Sequence, residues 1–141
     1  MKSADARTVR LDIASRIEML DMVQVVLNHL CGVLGFNEEA IHYMTVALRE
    51  SVVNAMKHGN RLDETKRVIV EFVQHPNALE VKVEDQGAGF DPGAVPDPVA
   101  EENLLKAYGR GIFFMKSFMD EVTYSFPTEG GTTVTMLKKL A

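Results

Sequence analysis

The sequence predicts an α+β fold, a two-layer sandwich of about three helices on one face of a mostly antiparallel sheet. Three observations lead there. Two long segments in the N-terminal half repeat their apolar positions at helical spacing. From residue 67 onward the pattern changes to strands with period-two alternation. The strands come in pairs joined by short polar or glycine-rich turns, which give hairpins instead of crossovers. The 141 residues suit a single domain, 1–141, with one core.

Each element follows from its residues. Thr8 to Ile13 alternate, with Val9, Leu11 and Ile13 on one face, and read as a strand. From Ser15 to Leu34, the residues Ile17, Leu20, Val23, Leu27, Leu30 and Leu34 recur at helical spacing. Ser15, with Glu18 three residues on, reads as a capping box, and Gly35 stands where a C′ glycine ends a helix. A second helix runs from about Asn37 to Lys57 or His58, with Gly59 as its stop. Its stripe of Ile41, Met44, Leu48, Val52, Ala55 and Met56 faces the sheet.

Arg67 to Val73 and Leu79 to Asp85 are strands joined by the turn His75-Pro76-Asn77-Ala78. In the second of them Leu79, Val81 and Val83 point inward and Glu80, Lys82 and Glu84 outward, so one sheet face is covered and the other is wet. Residues 87–98 are too rich in glycine and proline for helix or central strand. Glu101 to Tyr108 is a short helical piece. Gly109-Arg110-Gly111 interrupts the chain, and "IFFMKSFM" begins another helix. The strands Val122 to Phe126 and Thr132 to Leu137 flank the turn Thr128-Glu129-Gly130-Gly131.

The bulk numbers exclude several classes. A net charge of -5 argues against a dedicated nucleic-acid binder, since no basic excess neutralises phosphates. The single cysteine, Cys31, forms no internal disulfide. Its apolar setting, "LNHLCGVLGF", predicts a buried inert thiol and fits a reducing cytoplasm. The start "MKSADARTVRLDIASR" lacks the apolar core of a signal peptide. No apolar run is expected to span a membrane, which takes about 18 residues.

Three polar constellations remain. On the second helix, Glu50 and Asn54 lie one turn apart, with Val46, Ala47 and Val53 beside them instead of charges. Read alone, they are consistent with a surface pair or with one wall of a site; Asn competes for backbone hydrogen bonds and is disfavoured mid-helix. The second is "VEDQGAGFDPG", where a strand ends at Asp85 before Gly87 and Gly89. Such glycines let backbone approach a ligand or simply make a turn. A Rossmann loop is excluded, because Pro92 and the following loop forbid the helix that motif requires. The third is "YGRGIFFMKSF", two glycines and Arg110 before a helix. It reads as a phosphate-binding helix start or as a helix–helix turn. "EGGTTVTM" alone reads as a hairpin turn.

Taken in order, these stretches resemble a known family. "ALRESVVNAMKHGN", "VEDQGAGFDP", "GRGIFFMKSF" and "GGTTVTM" look like the N box and three glycine boxes of the ATP-binding fold shared by gyrase, the ninety-kilodalton heat-shock chaperone, histidine kinases and mismatch-repair ATPases. The resemblance covers about residues 8 to 140. Within that superfamily the chain is most similar to the bacterial anti-sigma-factor serine/threonine kinases, whose Glu-x-x-x-Asn-Ala-x-x-His-Gly fingerprint is matched by Glu50, Asn54, Ala55, His58 and Gly59.

The resemblance implies a histidine-kinase-like ATPase fold, ATP and Mg²⁺. It implies that Asn54 ligates the metal through its side-chain oxygen, as suits a hard cation. Asp85 accepts from the adenine amino group, with Gly87 and Gly89 giving the base access, and Thr133 supports the base through water. Gly109, Arg110 and Gly111 meet the β- and γ-phosphates, and Glu50 is the general base. Lys57 and His58 stay unassigned, since a cation near a helix C-terminus is favourable without any ligand. "GRGIFFMKSFMDEV" departs from many relatives in its paired Phe113 and Phe114.

The implied activity is phosphorylation of Ser or Thr on a small antagonist protein, by an anti-sigma regulator whose partners are that antagonist and a sigma factor. Implied too are a homodimer, a cytoplasmic location, and no contact with nucleic acid or membrane. The alternatives are a non-catalytic ATP-responsive anti-sigma binding module and an ATP-hydrolysing switch. Glu50 favours the kinase, because sequestration alone needs no base.

Overall fold

The computed structural model describes residues 7–87, 116–126 and 130–140. Five strands form one antiparallel sheet in the order β1-β2-β3-β5-β4, from β1 (Thr8–Ala14), β2 (Arg67–His75), β3 (Ala78–Glu84), β4 (Glu121–Ser125) and β5 (Thr133–Lys139). Helices α1 (Leu20–Leu34) and α2 (Glu38–Asn54) cover one face. Residues 116–118 add a described helical end on the same side, where Phe118 stacks on Tyr43 of α2 with centroids 4.6 Å apart. The expected two-layer α+β sandwich is thus the observed fold.

The β2–β3 hairpin places Val70 opposite Val83 and Phe72 opposite Val81. Phe72, Val68, Val70 and Leu79 have no exposed surface. Val23, Leu27, Met44, Val52 and Met56 meet them from the helix layer. Each fully buried large side chain contributes roughly 1.5–3 kcal/mol against exposure. The outer face carries Glu71, Glu80, Lys82 and Glu84, none of them buried, as the alternation required. Cys31 is fully enclosed, and burial pushes its thiol up to about 12, so it stays protonated and inert.

Three expectations change. Ser15 does not cap a helix. A 3₁₀ turn, Ile17–Met19, precedes α1, and no side chain caps either start. Ser15 is buried and donates to the Lys66 carbonyl at 2.8 Å, while Glu18 pairs with Arg16 instead. At α2 a side chain does cap the start: Asn37, where the helix was expected to begin, accepts from the Ala40 amide at 2.8 Å.

Second, Ile17–Leu34 is long and apolar enough by length and composition to cross a membrane, which the run-length reading had excluded. In the fold its inner side, Leu20, Val23, Leu27, Leu30 and Cys31, is buried in the core. Met22, Val25 and Val33 on the outer side remain 53%, 63% and 64% exposed.

Third, the buried arc of α2 is wider than the stripe that periodicity drew. It takes in Ala47, Ser51 and Asn54, while Ile41 is only partly buried. Past Asn54 the helix closes as a π turn, Ala55–Gly59, with the Asn60 amide bonded to the Ala55 carbonyl at 2.8 Å. Such single π turns insert a residue and re-aim the chain that follows.

Candidate functional site

The C-terminal half of α2, the π turn and the exit of β3 converge. Asn54 is 8% exposed, so the surface alternative for it falls. Its Nδ2, and the Ser51 hydroxyl one turn earlier, are buried with no hydrogen-bond partner among the described residues. A buried polar group left unpaired costs about 1–3 kcal/mol. Asn54 is therefore retained against a stability cost, and an external polar partner would offset it. Glu50, one turn before it, is partly exposed and makes no hydrogen bond or ion pair among the described residues. Its neighbour Arg49 is committed elsewhere, to Gln24 at 2.8 Å and Asp21 at 3.5 Å. Val46 and Val53 are half-buried and Ala47 is enclosed, so Glu50 and Asn54 lie among apolar groups, as the sequence indicated.

Asp85 follows the last ladder residue of β3. It is 7% exposed. Its Oδ1 accepts from the amides of Gly87 at 3.0 Å and Thr132 at 3.2 Å, and its own amide donates to the Thr132 carbonyl at 3.0 Å. Those bonds fall on one carboxylate oxygen, and Oδ2 accepts no hydrogen bond among the described residues. Burial raises the Asp85 carboxyl above its ordinary value, against the lowering effect of the two amides. The sign follows. Because the folded value lies above the unfolded one, this group favours the nucleotide-free fold most at low pH. The benefit is lost as pH rises through the folded value, and the neutral-pH carboxylate is a cost.

Three glycines enclose that carboxylate. A Cβ on Gly59 would lie 2.3 Å from Asp85 Oδ2, one on Gly87 2.3 Å from the Gly59 carbonyl oxygen, and one on Gly131 2.4 Å from the Asp85 carbonyl oxygen. Gly131 also has φ +85°, where other residues are strained. Backbone therefore packs directly against the carboxylate and its own main chain, and only glycine permits that approach.

Of the residues expected at the site, the structure places Glu50 and Asn54 on adjoining turns of α2, and Asp85 and Gly87 at the β3 exit beside the π turn. Thr133 stands opposite Glu84 in the ladder and shares its outward face, while Thr132, just before it, is buried and makes the hydrogen bonds to Asp85. Gly89, Gly109, Arg110 and Gly111, with the helical piece 101–108, lie outside the described residues. Among the described residues no group of three His, Cys, Asp or Glu could hold a metal. A metal here would take a single oxygen, from Asn54, and the rest from its phosphates and water. That fits Mg²⁺, which is commonly held through one or two protein ligands plus substrate phosphates.

From sequence, Gly59 reads as a helix stop and the last residue of the fingerprint, with no contact implied, and Asn60 and Thr132 carry no functional signal. Gly59 abuts the Asp85 carboxylate, and Asn60 is 1% exposed and fully hydrogen-bonded. A Gly-Asn pair after a helix was the available signal, but it is indistinguishable from an ordinary terminator.

Known proteins resemble this chain in sequence and in fold. A family model described as histidine kinase-like ATPase domain matches residues 13–138. The serine-protein kinase RsbW of Bacillus licheniformis is 30% identical, over 99% of this chain and 89% of its own length. The protein of the same name from Listeria monocytogenes serovar 1/2a is 27% identical, over 92% and 85%. Among solved structures, the RsbU and RsbW domains of Rv1364c from Mycobacterium tuberculosis match with a TM-score of 0.69 at 18% identity. The match covers 94% of this chain and 32% of that longer one, and shares its fold. The catalytic domain of histidine kinase ThkA matches with a TM-score of 0.51 at 12% identity.

Proposed function

The chain belongs to the histidine kinase-like ATPase domain family, and from that premise we propose that it is an ATP-dependent protein serine/threonine kinase acting as an anti-sigma regulator. Its substrate is a hydroxyl of a small antagonist protein, and its second partner is a sigma factor. The observation that carries this reading is the pairing of Glu50, without hydrogen bond or ion pair among the described residues, with a buried Asn54 whose Nδ2 has no partner there, one turn away on the same helix. A binding module alone has no use for a carboxylate base there. The names of the relatives, serine-protein kinase, support the same reaction.

In the proposed step the substrate oxygen bonds to the γ-phosphorus while the bond from that phosphorus to the bridging oxygen breaks, releasing ADP. Glu50 orients the hydroxyl and takes its proton. Bound Mg²⁺ would neutralise phosphate charge, held by the Asn54 side-chain oxygen. Asp85 Oδ2 accepts from the adenine amino group, with Gly59, Gly87 and Gly131 as the walls around it. Gly89 gives the base access, and Gly109, Arg110 and Gly111 face the phosphates. Positioning and charge neutralisation supply most of such catalysis.

A sequestering role for the same protein is favoured by one further observation. Met22, Val25 and Val33 expose an aliphatic stripe on α1, and such a stripe is suited to a protein partner or a second copy in a homodimer. A cytoplasmic location goes with that role. The decisive test is incubation with γ-labelled ATP and candidate antagonists from the same operon. Label on Ser or Thr is expected; parent protein that labels no candidate while still binding ATP reduces it to the sequestering module.

Two expected results address the nucleotide. Asp85→Asn weakens ATP binding by roughly 1–3 kcal/mol, since a donor replaces the buried acceptor. The same change should leave the nucleotide-free protein at least as stable, because it removes a buried charge. Calorimetry with ATP and GTP, beside thermal unfolding, reads both, and equal affinity of the parent for the two nucleotides would refute the adenine assignment.

Asn54→Ala is expected to abolish the Mg²⁺-dependent part of ATP affinity, roughly 10–100-fold, without lowering the melting temperature, because its amide is unpaired in the free protein. Titrations with and without Mg²⁺ check it. A folded variant with unchanged Mg²⁺ dependence removes Asn54 from the metal.

A further inference from the structure

Asn60 occupies the point where four segments meet. Its Nδ2 donates to Ser15 Oγ at 2.8 Å, at the end of β1, and to the Arg67 carbonyl at 2.9 Å, at the start of β2. Its Oδ1 accepts from the Gln86 amide at 2.7 Å, just past β3. Its backbone amide closes the π turn onto Ala55. Gln86 is also held through its side chain, whose Oε1 accepts from the Arg67 amide at 2.6 Å.

The consequence falls on the neighbouring residues. Asp85 leaves the ladder at its last register pair, Glu84 with Ile69 and Thr133. Beyond that point β5 grips the segment through Thr132, while β2 grips it through Gln86. Asn60 joins that second grip to the π turn, so the turn carrying Gly59 and the segment carrying Asp85 and Gly87 are fixed to one side chain. Gly59 and Gly87 are the walls on either side of the carboxylate, with no room for a Cβ between them. Two donors and one acceptor are needed at this spot. A carboxamide of this length supplies them; aspartate lacks the donors, and serine lacks the reach.

We propose that Asn60 is a positioning residue for nucleobase specificity: it sets the height of the Asp85 carboxylate between Gly59 and Gly87, and so determines discrimination of adenine from guanine without touching the base. This rests on the reading of Asp85 as the adenine acceptor.

The test is the ratio of Mg·ADP to Mg·GDP affinity, measured by calorimetry on the parent, Asp85→Asn, Asn60→Ala and Asn60→Asp. A variant that is only less well folded loses apparent affinity for both nucleotides by one factor, so its ratio stays fixed. Misplacement of the acceptor lowers the ratio. A fall of about tenfold is expected in both Asn60 variants. If Asp85→Asn collapses the ratio and both Asn60 variants keep the parent's, the proposal is overturned while the Asp85 reading stands. If the parent shows no preference, or Asp85→Asn leaves it unchanged, the Asp85 reading fails and this proposal with it. Should the Asn60 variants not fold, Ser15→Ala, which removes one acceptor of Asn60 together with the Ser15 bond to the Lys66 carbonyl, is read the same way, and a lowered ratio is again expected.

Discussion

Glu50→Gln is expected to slow phosphoryl transfer by roughly two to four powers of ten while Mg·ATP binding stays at the parent value. The substitution preserves size and shape. It removes only the capacity to take the hydroxyl proton. The parent side chain has no hydrogen bond or ion pair among the described residues, so the change breaks no contact there, and the unfolding midpoint should not move. Single-turnover transfer to the antagonist, beside ATP titration, separates the possibilities. An equal fall in transfer and in ATP affinity would make Glu50 a nucleotide or metal contact instead of a base. An unchanged rate would leave transfer to positioning alone.

The second large effect is expected from Gly59→Ala. One methyl carbon placed 2.3 Å from Asp85 Oδ2 and 2.4 Å from its Cγ cannot coexist with the carboxylate where it stands. The side chain must swing away, which breaks its bonds from the Gly87 and Thr132 amides. A buried carboxylate without those donors is costly, so both functions of the site suffer. ATP affinity should fall about a hundredfold, or about 2.7 kcal/mol, and the nucleotide-free protein should melt earlier. Asp85→Asn is expected to weaken ATP without lowering stability, so the two variants part on the melting curve. Adding Asp85→Ala to Gly59→Ala removes the clashing atoms and should restore part of the melting temperature but none of the affinity. Failure of that partial rescue would mean that the glycine is needed for the π turn and not for the carboxylate.

Most of the layer arrangement was legible in the chain. Val81 and Val83 alternate with Lys82 and Glu84, and that alternation set the sheet's inner face correctly. The α2 stripe placed Met44, Leu48 and Val52 on the core. What the pattern missed were polar residues inside. Periodicity assigns them outward by default, yet Ser15, Ser51, Asn54 and Asn60 are all buried. Their burial depends on partners far off in sequence, as when Ser15 meets Lys66 and Asn60, or on a ligand. No local rule reads either.

The candidate site divided along the same line. Glu50, Asn54, Asp85 and Gly87 were singled out through motif order, since each stretch alone was equally consistent with a turn or a surface helix. Thr132, whose amide reaches the Asp85 carboxylate, lies just before the strand and carried no signal of its own. Gly59's contact with Asp85 joins two motifs 26 positions apart, a relation visible only once the helix end and the strand exit are folded together.

The π turn from Ala55 to Gly59 gives the chain's length at this point a meaning of its own. Deleting one residue between positions 55 and 58 would let the helix continue at ordinary α pitch, with more regular hydrogen bonding. It would also rotate the following residues by about 100° around the axis, carrying Gly59 and Asn60 away from the β3 exit. A sequence change that improves the helix would therefore blind the protein to its nucleotide. An indel here acts as a frameshift in three dimensions: it leaves the reading frame of the core intact and shifts that of the site.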